Sequence, residues 1–169
     1  MKKKQDNDKT RLSKPTVFLA TWFGVGFLPN APGTWGSLAS LPFAWLLHLN
    51  TGWEILAVAG LGLFIIGVWA ADGYINLFGG EDPRPVVIDE VAGMWLTLTP
   101  AAYFYPNSPD FVIYFIAFFL FRLADISKPW PASLADKKIK GGFGVMVDDL
   151  IAAVFSGLGL TFYIVFIGA

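Results

Sequence analysis

From Pro15 to Trp53 the chain carries no Asp, Glu, Lys or Arg, and from Leu150 to Ala169 it carries none again. Charges therefore cut the sequence into apolar blocks, and those blocks limit what it can fold into. The first is GTWGSLASLPFAWLLHL, residues 33–49, interrupted by Pro42. The second is Ile55–Ala71, the third VAGMWLTLTPAAYFY after Glu90, the fourth Phe111–Phe121 and the fifth Leu150–Ala169. A helix needs roughly 20 apolar residues to cross a bilayer. The second and fifth blocks reach that length, the first and third are borderline, and the fourth crosses only if residues 122–126 continue it. The same runs suit a soluble bundle of buried helices. Composition decides against that alternative, because only 15% of residues are charged and 55% are hydrophobic, against roughly 25% charged in soluble domains.

The basic residues sharpen the topology. Lys and Arg near span ends mark the cytoplasmic side of a membrane protein. With five alternating crossings, the N-terminal tail, residues 72–90 and residues 122–149 share one side. All 12 Lys and Arg residues fall there: Lys2, Lys3, Lys4, Lys9, Arg11, Lys14, Arg84, Arg122, Lys128, Lys137, Lys138 and Lys140. The opposite turns, NTGWE and PNSPD, have none. The expectation is an all-α, multi-pass membrane helical bundle with four to five apolar helices and a site on its cytoplasmic face. Residues 1–15 form a basic polar tail and residues 16–169 a single membrane domain. The glycines and prolines after the tail argue against a removable signal peptide.

Several function classes drop out. A net charge of −1 gives no electrostatic footprint for nucleic acid. With no cysteine there is no disulfide, thiolate nucleophile or cysteine metal site. The single histidine, His48, falls on the side opposite the basic residues, so zinc held by histidines is excluded too.

The acids share the basic side, apart from Glu54 and Asp110. VVIDEVAGMW sets Asp89 and Glu90 at the start of the third helix. FRLADISKPWP sets Arg122 and Asp125 on one helical face, with Lys128 just before a helix-ending proline. GGFGVMVDDL sets Asp148 and Asp149 after a glycine-rich bend. Helix capping explains one acid per helix start, but not doubled acids at two starts beside a third acid. Carboxylate oxygens suit a hard divalent cation such as Mg²⁺, and Arg122 and Lys128 suit a phosphate. Together these are the parts of phosphoryl transfer. With cysteine absent, the nucleophile is metal-activated water or an aspartate, and water is the simpler choice. Glycine-rich stretches at 141–144 and 23–37 let backbone N–H groups approach an anion. They make Gly142, Gly144, Thr34 and Ser37 candidate substrate contacts.

LPNAPGTWGSL, VVIDEVAGMW, FRLADISKPWP and GGFGVMVDDLIAA occur in this order. Together they closely resemble the phosphatidylglycerophosphatase A family of bacteria, over nearly all of the chain beyond the tail. The resemblance implies a magnesium-dependent phosphatase of the inner membrane. Such an enzyme removes the terminal phosphate of phosphatidylglycerophosphate, an anionic lipid, to give phosphatidylglycerol. It implies a site in which Asp89, Glu90, Asp125, Asp148 and Asp149 serve catalysis and hold the metal, and Arg122 and Lys128 bind the substrate. A magnesium transporter or channel would also collect intramembrane acids, but along a path through the bilayer rather than on one side.

Overall fold

The computed structural model describes residues 13–168, apart from the side chains of Asp136 and Lys137. Lys2, Lys3, Lys4, Lys9 and Arg11, and with them most of the expected tail, lie outside the described residues. Among the described residues all regular structure is helical. The helices are α1 (Pro15–Ala20), α2 (Pro32–Asn50), α3 (Trp53–Phe78), α4 (Ile88–Thr97), α5 (Thr99–Phe104), α6 (Phe111–Ser127), α7 (Ala132–Lys138) and α8 (Gly141–Phe166).

Local chemistry sets several of these boundaries. Pro32 opens α2, where its fixed φ suits a helix start and its missing N–H costs nothing. Asp110 caps α6 by accepting the Ile113 N–H at 2.9 Å. The fourth block does continue through Arg122 and Asp125, as a spanning reading required. It stops at Lys128, whose φ of 42° is left-handed, just before Pro129.

The short helix α4 is the hub. It is buried nearly all round, through Ile88, Asp89, Val91, Ala92, Met94 and Trp95, and packs against α2, α3, α6 and α8. An apolar helix buried on every side belongs at a core. Met94, Leu98, Phe121 and Leu160 bring α4, α6 and α8 together in the larger cluster of buried side chains.

Two expectations change. Two helices, α3 and α8, are long and apolar enough to cross a membrane, rather than four to five. The third block is divided at Leu98 into α4 and α5, with Pro100 in the first turn of α5. Helix α4, of 10 residues, is about 15 Å long, half of a bilayer core. Helix α2 carries Pro42, glycines and serines among its apolar residues, and α6 has 17 residues and ends in charge. The two long helices have only 28% and 33% of their most apolar stretch buried. Val58, Leu61, Ile65 and Trp69 on α3, and Val154, Leu158 and Phe162 on α8, face outward. Apolar faces of that extent belong against lipid, and the protein is membrane-associated.

The second change concerns the glycine-rich segment 141–144, which is the first turn of α8 rather than a bend before it. A Cβ on Gly142 would lie 2.2 Å from the Val68 carbonyl oxygen, and one on Gly144 2.3 Å from that of Ile139. These glycines allow α8 to pack closely on its neighbours. Asp148 and Asp149 consequently sit two turns inside a helix, with no acid in its first turn. Capping does not account for them.

Candidate active site

At one end of the bundle the starts of α2 and α4, the end of α6, the loop after α3 and the part of α8 two turns in come together. Between them is a cavity of about 280 Å³, lined by Gly33, Asp82, Arg84, Asp89, Glu90, Arg122, Asp125, Lys128, Asp148 and Asp149, among others. The seven charged residues singled out in the sequence all line it. Six acids face three basic residues there, so the walls are short of positive charge.

At the centre, ligand oxygens of Asp89, Glu90 and Asp149 all lie within 4.8 Å of one another. Asp89 and Asp149 are 8% and 3% exposed. Asp89 Oδ1, Glu90 Oε2 and Asp149 Oδ2 are buried without a hydrogen-bond partner. Orphaned buried acceptors on carboxylates are costly. Burial pushes the Glu90 carboxyl up to about 8. Burial first, and then the neighbouring Glu90 charge, holds Asp89 well above the usual carboxylate range. An all-oxygen donor set with excess negative charge and unfilled acceptors fits a divalent metal ion.

The basic residues are held at its edge. Arg122 Nη1 lies 2.6 Å from Asp125 Oδ2 and 3.8 Å from Glu90 Oε1. Its Nε is buried without an acceptor, so the guanidinium keeps an unfilled donor. Lys128 Nζ donates to Asp148 Oδ2 at 2.6 Å. The left-handed backbone at Lys128 ends α6 beside α8, where this pair forms.

The other candidates divide. Gly142 and Gly144 do not line this cavity. The Gly142 N–H donates to Asp72 Oδ1 at 2.5 Å, while Gly144 borders a neighbouring pocket with Glu81, Lys140 and Asp148. Ser37 is buried and its hydroxyl donates to the Gly33 carbonyl at 3.0 Å. Thr34 is half-buried in the first turn of α2.

Among the lining residues not anticipated as site residues, three bear on its chemistry. Asp82 and Arg84 come from the GGEDPRP loop after α3, and their only sequence signal is charge on the shared side. Gly33 is the third. A Cβ there would lie 1.9 Å from Glu90 Oε1 and 3.2 Å from Arg122 Nη1. Its lack of a side chain lets the start of α2, with its unsatisfied backbone N–H groups, close over these two residues.

At the other end of the bundle the polar groups are engaged locally. His48 Nε2 meets the Tyr105 carbonyl at 2.8 Å and Nδ1 meets the Tyr114 hydroxyl at 3.1 Å. Asp110 caps α6, and Glu54 sits in the first turn of α3.

The family model described as Phosphatidylglycerophosphatase A matches residues 18–164. A Phosphatidylglycerophosphatase A of Escherichia coli is 35% identical over 92% of this chain and 87% of that protein. One of Haemophilus influenzae is 34% identical over 88% of each. A protein of Bacteroides thetaiotaomicron named "Putative phosphatidylinositol-3-phosphatase" is 40% identical over 83% of this chain and 87% of its own length. No solved structure matches the chain significantly.

Proposed function

The chain belongs to the phosphatidylglycerophosphatase A family, and from that premise we propose that it hydrolyses phosphatidylglycerophosphate to phosphatidylglycerol and phosphate. The observation that carries this reading is the group of three buried carboxylates with unfilled oxygens beside the unfilled Nε of Arg122. Acceptors for a cation and a donor for an anion stand in one cavity at the bundle end.

Asp89, Glu90 and Asp149 would hold Mg²⁺, which suits oxygen ligands and keeps water. When bound, the ion supplies positive charge to the phosphate and lowers the pKa of water. Arg122 and Lys128 orient the phosphate oxygens and offset their charge. Backbone N–H groups at the start of α2, from Gly33 and Thr34, add a favourable dipole. Asp125 and Asp148 keep Arg122 and Lys128 in place. One of these carboxylates takes a proton as the water oxygen bonds to phosphorus. The bond from phosphorus to the glycerol oxygen breaks, and the proton held by that carboxyl passes to the leaving oxygen. A site at a bundle end meets a lipid phosphate at the interface while the acyl chains stay in the bilayer.

Phosphate release from dioleoyl phosphatidylglycerophosphate in Mg²⁺, and its loss with a chelator, is the expected result. Phosphatidylinositol 3-phosphate assayed beside it tests the substrate named for the Bacteroides relative. No release from the first lipid at any Mg²⁺ concentration would overturn the reading.

The site end faces the cytoplasm of the bacterial inner membrane in this proposal, and the chain is multi-pass. The one-sided basic residues support it. A cysteine introduced at Gly52, at the opposite end, is expected to react with an impermeant maleimide from the periplasm. Labelling only from the cytoplasm would reverse the orientation.

Arg122→Lys separates a phosphate contact from a structural ion pair. Loss of a charged hydrogen bond and of the planar fork is expected to lower kcat/KM roughly ten- to hundredfold. Inhibition by inorganic phosphate should weaken in parallel, with thermal stability nearly unchanged. A stable, slow variant with unaltered phosphate inhibition would remove Arg122 from the substrate contacts.

A further inference from the structure

Helices α2 and α6 touch only sparsely, and a groove of about 610 Å³ runs along their seam. It is lined by Leu38, Leu41, Pro42 and Trp45 from α2 and by Phe111, Tyr114, Phe115, Phe118 and Phe119 from α6. The walls are almost wholly apolar. The groove is not isolated from the candidate active site. Phe119, Phe118, Phe115 and Phe111 stand 3, 4, 7 and 11 residues before Arg122, the spacing of a single helix face. On α2 the lining begins one and a half turns after Gly33, whose missing side chain lets that helix meet Glu90 and Arg122.

The groove has a floor and a far end. Trp45 packs edge-on against Tyr114 with ring centroids 4.9 Å apart. The Tyr114 hydroxyl is tied to His48 at 3.1 Å, closing the seam with buried polar groups. From Gly33 to Trp45 the helical rise of 1.5 Å per residue gives about 18 Å. From Arg122 back to Phe111 it gives about 16 Å. One leaflet of a bilayer core is roughly 15 Å deep. The groove lining therefore starts about one helical turn beyond Arg122, and its far end lies about one leaflet's depth from that residue.

We infer that this seam binds one acyl chain of the lipid substrate, so that the enzyme holds the lipid by its tail as well as its phosphate. This rests on the phosphatase reading above. The occupant follows from continuity: a lipid whose terminal phosphate is at Arg122 carries its acyl chains beyond a glycerol, a phosphodiester and a second glycerol, a link long enough to reach past one helical turn to the mouth of the groove. Pro42 suits the role, since it leaves the Leu38 carbonyl without its helical N–H partner and lines the widened seam. A bulk lipid that merely fills the seam is the competing occupant, and the test separates the two.

The full chain in detergent micelles is assayed for phosphate release from dioleoyl and from dihexanoyl phosphatidylglycerophosphate. Leu41→Trp, which fills the groove midway, is expected to lower kcat/KM for the dioleoyl lipid about tenfold or more, chiefly through KM, as buried methylenes lose their site. The dihexanoyl lipid, whose chains end above the obstruction, should change less than about twofold. Leu38→Trp gives the same comparison if Leu41→Trp does not fold, and Val154→Trp on the outward face of α8 serves as the control. A parallel change on both lipids, or none on either, overturns the inference. A diazirine at the acyl end of the substrate should label residues 38–45 or 111–119. Excess unlabelled dioleoyl phosphatidylglycerophosphate should suppress that labelling, and dioleoyl phosphatidylcholine should not. Equal suppression by both lipids would mean bulk occupancy and also overturn it. If the wild-type protein releases phosphate from neither lipid, it is the phosphatase reading that fails, while the labelling still reads the groove.

Discussion

Asp149→Asn is expected to reduce phosphate release at least about a hundredfold, the scale of losing a group that stabilises transition-state charge, without unfolding the protein. The carboxylate is 3% exposed, and its Oδ2 has no hydrogen-bond partner. It stands among Asp89 and Glu90 with their own unfilled oxygens. In the absence of divalent cations this crowding is offset only in part, by Arg122 at 3.8 Å from Glu90 Oε1, so a neutral amide of the same shape should leave thermal stability unchanged or raise it. Adding Mg²⁺ reverses the comparison. A ligand at about 100 times its Kd stabilises by ~2.7 kcal/mol, or roughly 5–10 °C at ~2–4 °C per kcal/mol for a domain of this size. The wild-type protein should show that rise and the variant should lose most of it. Near-normal turnover at limiting Mg²⁺ would remove Asp149 from the cation site. An equal Mg²⁺-dependent rise in both proteins would do the same.

Gly33→Ala adds one methyl group and should cost about as much activity. Its Cβ would lie 1.9 Å from Glu90 Oε1 and 2.9 Å from the same carboxyl's carbon. Something has to shift, and the end of the Glu90 side chain moves more cheaply than two packed helices. The fold should therefore survive with a small change in melting temperature. The displaced carboxylate is a different matter, since a misplacement of about 1 Å in a reacting constellation costs on the order of a hundredfold in rate. Mg²⁺ should stabilise this variant less than the wild type, because one of the three proposed donors has moved. A Gly33→Ala protein with ordinary activity would mean that the position of Glu90 is unimportant to catalysis. A protein that fails to insert would mean that the glycine serves packing first.

The apolar blocks were visible because a charge near hydrocarbon is expensive, so the chain confines charges to the ends of its helices. That rule marked out α3 and α6 well and gathered the seven charged site residues onto one end of the bundle. It misjudged α4 and α5, where apolar character is continuous but the backbone is not. Pro100 carried that information, and hydropathy masked it. It also misjudged the start of α8, because a glycine pair reads as a hinge unless the partner that needs the space is known. Here the partners are the carbonyls of Val68 and Ile139, far away in the chain or hidden in the preceding turn. Gly33 was hidden for the same reason: what it makes room for lies 57 residues further on, at Glu90. The acidic residues were legible as a group, but which three bring their oxygens together depends on distances that no spacing encodes.

The difference between Asp148 and Asp149 follows from angle. Neighbouring residues on an α-helix point about 100° apart, so Asp148 and Asp149 reach the shared cavity from different sides of α8. Asp149 turns to Asp89 and Glu90. Asp148 turns to Lys128 and also borders the adjoining pocket of Glu81, Asp82 and Lys140. The helix acts as a partition wall between two rooms: both aspartates face the first, and Asp148 alone also faces the second. Two letters that look like redundancy in the sequence are thus not interchangeable spares. Exchange of either for a longer acid would move charge through the wall in a different direction.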